Sequence, residues 1–368
     1  MNNIEEFAQS LAESTEFHST VKQNENLSSH TTMHVGGAAK LFLEPSDSES
    51  LVFAVRKLIE ENVGFFILGG GSNVIISDEG LDAVISTRKM NTVKFLTERT
   101  EFTEKIQNEE KQSSKIRSLC TPKLCEKFMK VGCGASWGSV ISFCKKNNLC
   151  GFEGFTGLSG TVGGALFMNA TCFGLSACDN LVSVEYFDTR DLQVHTYEKN
   201  EADWGYKKSP FQSTDFHRFP QIDGGRCGEL PAEWGGGATK CDAGERLLPS
   251  KIILSAIFCV HDGFDSQKSE NCLASRKEKG HFRAPSSGSA FKNDAVHGII
   301  AGKVIDECAL KGFSVGGAQI APWHGNFIIN PEQKATARDI KTLSDEVKKI
   351  VREKTGIALE NEILFVGL

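Results

Sequence analysis

The residues best suited to chemistry in this sequence are glycines. Of the 36 in a chain of 368 residues, two dense groups stand out. One reads Gly69-Gly70-Gly71-Ser72-Asn73, and the other spans 151–165 and includes Gly157, Gly160, Thr161, Gly163 and Gly164. Glycine admits positive φ and lets a backbone approach a ligand with no Cβ in the way, so successive N–H groups can converge on an anion. Residues 69–73 and 157–164 would in this way grip a diphosphate without help from Lys or Arg. The same glycines would equally serve as tight turns and close strand packing, and on residue type alone the two readings stand level.

The flanking pattern narrows the fold. Leu51, Val55, Leu58 and Ile59 share one helical face, Gly64 stops that helix, and Phe65-Phe66-Ile67-Leu68 reads as a buried strand. Val74-Ile75-Ile76 and then Val84-Ile85-Ser86 are β-rich, so the triple glycine joins strand to strand. Rossmann and P-loop glycines open a helix instead, and neither fingerprint is present here. Residues 97–128 are rich in Glu, Lys, Gln, Ser and Thr and read as an exposed insertion, and the glycine-rich 223–244 read as a second surface loop.

Further elements are a helix over 137–148, a short helix over 301–309, a strand over 326–330 and a final strand over 363–366. A long amphipathic helix over 336–353 presents Ile340, Leu343, Val347, Ile350 and Val351, with Thr336 and Asp339 as a capping box and Gly356 as its stop. The class is α+β, with a boundary near residue 275.

Composition excludes several functions. A formal net charge of -6 offers no basic field for nucleic acid or an anionic membrane. No apolar run reaches the ~18 residues of a membrane span, and the start of the chain lacks signal-peptide character, so a cytoplasmic protein is expected. The 12 cysteines, several in apolar surroundings such as Phe143-Cys144 and Phe258-Cys259, read as reduced core thiols. Cys120 and Cys125 lack a matching second pair or a His cluster, so no metal site is expected.

Seven segments, in order, resemble one family. They are 30–39 (HTTMHVGGAA), 68–74 (LGGGSNV), 160–170 (GTVGGALFMNA), 287–293 (SGSAFKN), 301–303 (AGK), 311–319 (KGFSVGGAQ) and 359–362 (LENE). Together they resemble the UDP-N-acetylenolpyruvoylglucosamine reductase (MurB) family of peptidoglycan precursor synthesis, from about residue 20 to the end of the chain.

The resemblance implies an FAD-binding fold of the para-cresol methylhydroxylase/vanillyl-alcohol oxidase type. Residues 1–19 would be an extension, 20–274 an FAD domain in two subdomains, and 275–368 a substrate-binding domain. It implies noncovalent FAD at Gly69, Gly70, Gly71, Ser72 and Asn73 and at Gly157, Gly160, Thr161, Gly163 and Gly164, with NADPH as hydride donor and a UDP-sugar enolpyruvyl ether as substrate. A monomer is expected. Ser289 matches the family's proton donor and Glu362 its catalytic carboxylate, with Glu360 as the competing acid because alternate residues of a strand share a face.

Lys292, Asn293, Lys303, His324 and Asn326 are the expected substrate contacts. The family's catalytic Arg, in Tyr-Arg-x-Ser-x-Phe, is Lys207 here, which keeps the charge and loses the planar fork. Trp323 and Leu364 are further departures, replacing the family's Lys before His324 and its Arg after the acids. The alternative reading is an FAD-binding relative with a changed site, acting as a binding protein or on another substrate.

Overall fold

The computed structural model describes residues 4–15, 17–96, 127–212, 249–294 and 296–368. Contacts divide the chain into two compact units. One gathers Met1–Met90 with Leu273–Leu368, the other Asn91–Gln212 with Lys251–Cys272.

In the first unit Ser19–Asn26 pairs antiparallel with Ala38–Pro45, which runs parallel to Leu81–Ser86, and that strand runs parallel to Phe65–Leu68. The helix Ser48–Glu60 buries Leu51, Ala54, Val55 and Leu58, and Asp47 caps it by accepting from Ser50 N at 2.8 Å. After the glycine loop, Val74–Ile76 pairs in parallel with Leu364–Val366, near the chain's end. All three residues of Val74–Ile76 are buried, as a continuous apolar run in a parallel pair should be.

A second sheet of the same unit is antiparallel, in the order Ser286–Ser289, Phe327–Ile329, Ala318–Ile320, Ser314–Val315. The helix Ala337–Thr355 packs Ile340, Leu343, Val347 and Val351 into a core with Ile320, Ile328, Phe291 and Ile75. Each such side chain contributes roughly 1.5–3 kcal/mol by leaving water. The capping box over Thr336 and Asp339 forms as the spacing indicates, and Gly356 ends the helix at φ +74°. Asp78 adds a second acid there, accepting from Ala337 N at 2.8 Å and Arg338 N at 3.2 Å.

The second unit is built on a sheet ordered Gln193–Glu198, Leu181–Asp188, Lys251–Asp262, Lys127–Gly132, Val93–Phe95, with Leu149–Cys150 pairing the end of the long Lys251–Asp262 strand. Trp137, at the start of the helix Trp137–Lys146, packs on Phe155 and Phe152, and Phe152 meets Phe258 edge-on. Buried Glu153 accepts from Gly151 N at 2.9 Å and Asp265 N at 3.0 Å, which ties the glycine-dense stretch down.

Two sequence expectations need correction. Lys127 and Phe128, assigned to the insertion, open a sheet strand, while the rest of that insertion and all of 223–244 lie outside the described residues. Seven described cysteines are free thiols, but Cys259 is disulfide-bonded. Whether two sulfurs meet depends on tertiary distance, which composition does not encode.

Thr336→Ala should lower the unfolding free energy by about 1 kcal/mol in denaturant titration, the usual loss for an N-cap hydroxyl. Hydrogen bonds from Thr336 N and Gly317 N hold the Asp339 carboxyl below the usual carboxylate range. Its stabilisation is therefore full above the unfolded carboxylate pKa and fades as pH falls through the lower folded value.

Candidate active site

The loop 69–73 turns its carbonyl groups into the protein. Gly71 O accepts from Thr32 N at 2.9 Å, Gly70 O from Arg88 Nη2 at 2.9 Å and Asn73 O from Leu364 N at 3.0 Å. The same Arg88 nitrogen reaches His30 O at 3.0 Å. Gly71 sits at φ +66°, where a Cβ would collide with His30 O, so only glycine fits there. Among the described residues no partner takes the backbone N–H of Gly70, Gly71, Ser72 or Asn73. A row of such donors is an anion-binding arrangement.

Ser289 and Glu362 come together through the backbone. Ser289 ends a strand whose next residue, Ala290, accepts the Glu362 N–H at 2.8 Å, and Phe291 bridges Asn361. The Glu362 carbonyl accepts from Asn73 Nδ2 at 3.0 Å, so Asn73 joins the glycine loop to the expected acid. Thr32 closes the assembly by donating from Oγ1 to Ser286 O at 2.7 Å.

The structure separates the two candidate acids. Glu360 and Glu362 both precede the final strand, which begins at Leu364, so strand alternation does not pair them. The Glu360 side chain is 76% exposed and meets Lys292 Nζ at 3.4 Å, whereas Glu362 is half-buried. Lys303 is on the surface beside Glu307, and Asn293 accepts from Ala301 N at 3.0 Å, at the start of a short helix. His324 stacks on Phe327, with centroids 3.9 Å apart, and its Nδ1 accepts from Asn326 N at 3.2 Å. Asn326 is buried, and its amide is bonded wholly to the Phe291 backbone.

In the second unit, Gly157 (φ +77°) and Gly160 (φ +105°) take left-handed conformations. Thr161 caps the helix Val162–Phe167 through Gly164 N, and Gly163 N donates to Cys133 O at 2.8 Å. The N–H groups of Gly163 and Gly164 are thus engaged internally, as close packing requires.

Lys207 sits at φ +55° in a tight turn where Gly205 and Lys208 exchange both backbone hydrogen bonds at 3.1 Å. Its ammonium lies 5.7 Å from the Tyr206 ring centroid. The turn is braced by Asn169 Nδ2, which donates to Gly205 O at 2.7 Å, and by Trp204, whose indole donates to Tyr197 Oη at 3.1 Å.

A family model described as UDP-N-acetylenolpyruvoylglucosamine reductase, C-terminal domain, matches residues 280–366. The protein of that name from Treponema denticola is 35% identical over 343 residues, covering 92% of this chain and 90% of its own. Its counterpart from Borreliella burgdorferi is 34% identical over 346 residues, covering 94% of each chain. This chain belongs to the UDP-N-acetylenolpyruvoylglucosamine reductase family. The crystal structure of MurB from Thermus caldophilus, 24% identical, superposes with a TM-score of 0.62 over 95% of this chain and 99% of that one, so the reductase fold is shared.

Within this reductase fold, several residues that shape the site had no readable signal in the sequence. Arg88 is a surface arginine after a strand, and His281 is an isolated histidine. His281 meets Phe327 edge-on with centroids 4.7 Å apart, so Phe327 lies against both His281 and His324. Burial, reinforced by Arg276 and then His324, lowers the His281 pKa from 6.5 to about 4. Burial also lowers that of His324. Both rings are neutral at pH 7.

Between those limits the unfolded chain binds a proton that folded His281 does not, so stability falls as pH drops from 6.5 to about 4. The His281 imidazole should titrate in NMR with a midpoint near 4. His281→Gln should flatten the pH dependence of the thermal midpoint over the same window. An ordinary midpoint for His281 would contradict the burial argument.

Proposed function

We propose that this chain is an NADPH-dependent reductase that converts UDP-N-acetylglucosamine enolpyruvate to UDP-N-acetylmuramate, a step of peptidoglycan precursor synthesis, with noncovalently bound FAD. The observation that carries this reading is the hydrogen-bonded assembly of Ala290, the residue after Ser289, with Glu362 and the 69–73 loop in a chain that matches reductases over more than nine-tenths of its length. The residues suit the flavin. Gly70, Gly71, Ser72 and Asn73 offer four backbone N–H groups whose carbonyl counterweights are largely taken, which favours a diphosphate. When bound and reduced, FAD supplies hydride.

The chain's own side chains manage charge and protons. Hydride addition to one alkene carbon drives charge into the adjoining carboxylate, so donors are needed at that carboxylate and a proton at the other carbon. Ser289 Oγ is the proposed proton donor. Glu362, half-buried and held at both faces of its peptide, is the proposed catalytic carboxylate in preference to Glu360. Lys207 supplies the cation for the developing carboxylate charge, one ammonium replacing a two-donor fork. On this reading the C-terminal part, about residues 275–368, serves the substrate. The enzyme acts as a cytoplasmic monomer.

Acid-denatured protein should release FAD into the supernatant, and the reduced enzyme should be reoxidised by the enolpyruvyl ether. Flavin without that reoxidation would favour the reading as a flavin-binding relative, and absence of flavin would overturn both. Ser289→Ala should slow reoxidation ~10²–10⁴-fold, the usual worth of a general acid, and leave reduction by NADPH nearly intact. Lys207→Ala should lose on the order of 10²–10³-fold in reoxidation, as loss of a donor to a developing oxyanion does, while Lys207→Arg keeps or raises the rate. Wild-type rates in Lys207→Ala would remove that residue from the mechanism.

A further inference from the structure

We infer that Asn326 is a positioning residue that sets Ser289 against Glu362, and not a contact to substrate phosphate or carboxylate. The inference rests on the proposed function for its kinetic consequence and on hydrogen bonding for its geometry. Asn326 is only 3% exposed. Its Oδ1 accepts from Phe291 N at 2.9 Å and its Nδ2 donates to Phe291 O at 2.8 Å. One side-chain amide therefore pairs with both backbone groups of one residue, as a neighbouring strand would. Its own carbonyl accepts from Ala290 N at 2.8 Å.

These bonds act where the ladder is weakest. Ser286–Ser289 pairs with Phe327–Ile329, but the register shifts between Ser286 and Ser289. Pairing alone leaves the end that carries Ser289 loosely specified. Asn326 ties down the next two residues, and the Ala290 carbonyl, thus oriented, receives the Glu362 N–H at 2.8 Å. One bonded path runs from Asn326 through Ala290 to Glu362, with Ser289 at its side. Close packing holds Asn326 in turn, since a Cβ on Gly302 would lie 3.2 Å from the Asn326 Cβ. Only an amide offers a donor and an acceptor at this reach. Asp would set a carboxylate oxygen against Phe291 O, and Ala would leave both Phe291 groups unpaired.

The test uses full-length, FAD-loaded protein carrying Asn326→Ala or Asn326→Asp. Reoxidation by the enolpyruvyl ether at saturation should fall on the order of 10²-fold, the cost of a small misplacement of reacting groups, with KM little changed. In a Ser289→Ala background the same substitutions should cost less than about threefold more, because residues acting through one another are not additive. Backbone amides of Ala290, Phe291 and Glu362 should exchange hydrogen about tenfold faster, while those of the helix Ala337–Thr355 keep their rates.

Three results would overturn the inference: a raised KM with an intact rate at saturation, an equal further loss in the Ser289→Ala background, or unchanged exchange at the three amides. Exchange reads the clamp without turnover. Faster exchange in a protein that the enolpyruvyl ether never reoxidises would keep the clamp and reject the proposed function.

Discussion

The parallel pairing of Leu364–Val366 with Val74–Ile76 is the constraint on which the site depends. It brings the end of the chain to the glycine loop, and the first bond beside that ladder, Leu364 N to Asn73 O, leaves Glu362 within reach of Asn73 Nδ2 across 289 residues of sequence. Burial drives the pairing. Val74, Ile75, Ile76 and Val366 are each nearly inaccessible to water, and the ladder supplies partners for their buried backbone groups, with Ser77 N extending it by donating to Val366 O at 2.9 Å. Loss of that ladder would remove the register that sets the Glu362 carbonyl against Asn73 Nδ2.

The same accounting explains the polarity of the loop. A chain of glycines has no intrinsic preference for which way its peptides face. Here Thr32, Arg88 and Leu364 claim the carbonyl groups of Gly71, Gly70 and Asn73, and the amides are left over. Arg88 works by fixing this orientation, because its bonds go to carbonyl oxygens of Gly70 and His30. The glycine stretch in the other unit is resolved in the opposite sense around residues 161–164, where packing against Cys133 and helix capping use the amides that the first loop leaves unpaired.

Lys207 is a departure whose surroundings are nonetheless tightly built. The aromatic rings of Tyr197, Trp204 and Phe211 pack on one another, the Ser209 hydroxyl donates to Phe167 O at 2.7 Å, and the turn that carries Lys207 adopts a backbone conformation uncommon outside glycine and asparagine. A scaffold of this kind specifies where the side chain starts, whichever basic residue occupies the position.

The local elements were legible because their signals are local. The helix of Ile340, Leu343, Val347 and Val351, its capping box and its terminal Gly356 follow from spacing alone, as do the strands on either side of the triple glycine. The ordered motifs identify the reductase family and point to Ser289 and Glu362 from sequence alone. The different exposure of Glu360 and Glu362 depended on tertiary packing, and the pairing of Cys259 on a tertiary distance. The use of the Asn326 amide, the bond from Asn73 to Glu362 and the lowered pKa of His281 belong to tertiary structure alone. Each depends on which groups from distant segments share one dry site, and linear spacing carries no record of that. Sequence by itself determined the helices, strands and glycine turns whose signals are local, though not the strand that Lys127 opens; the packing of remote segments decided which polar groups were satisfied and which were left to act.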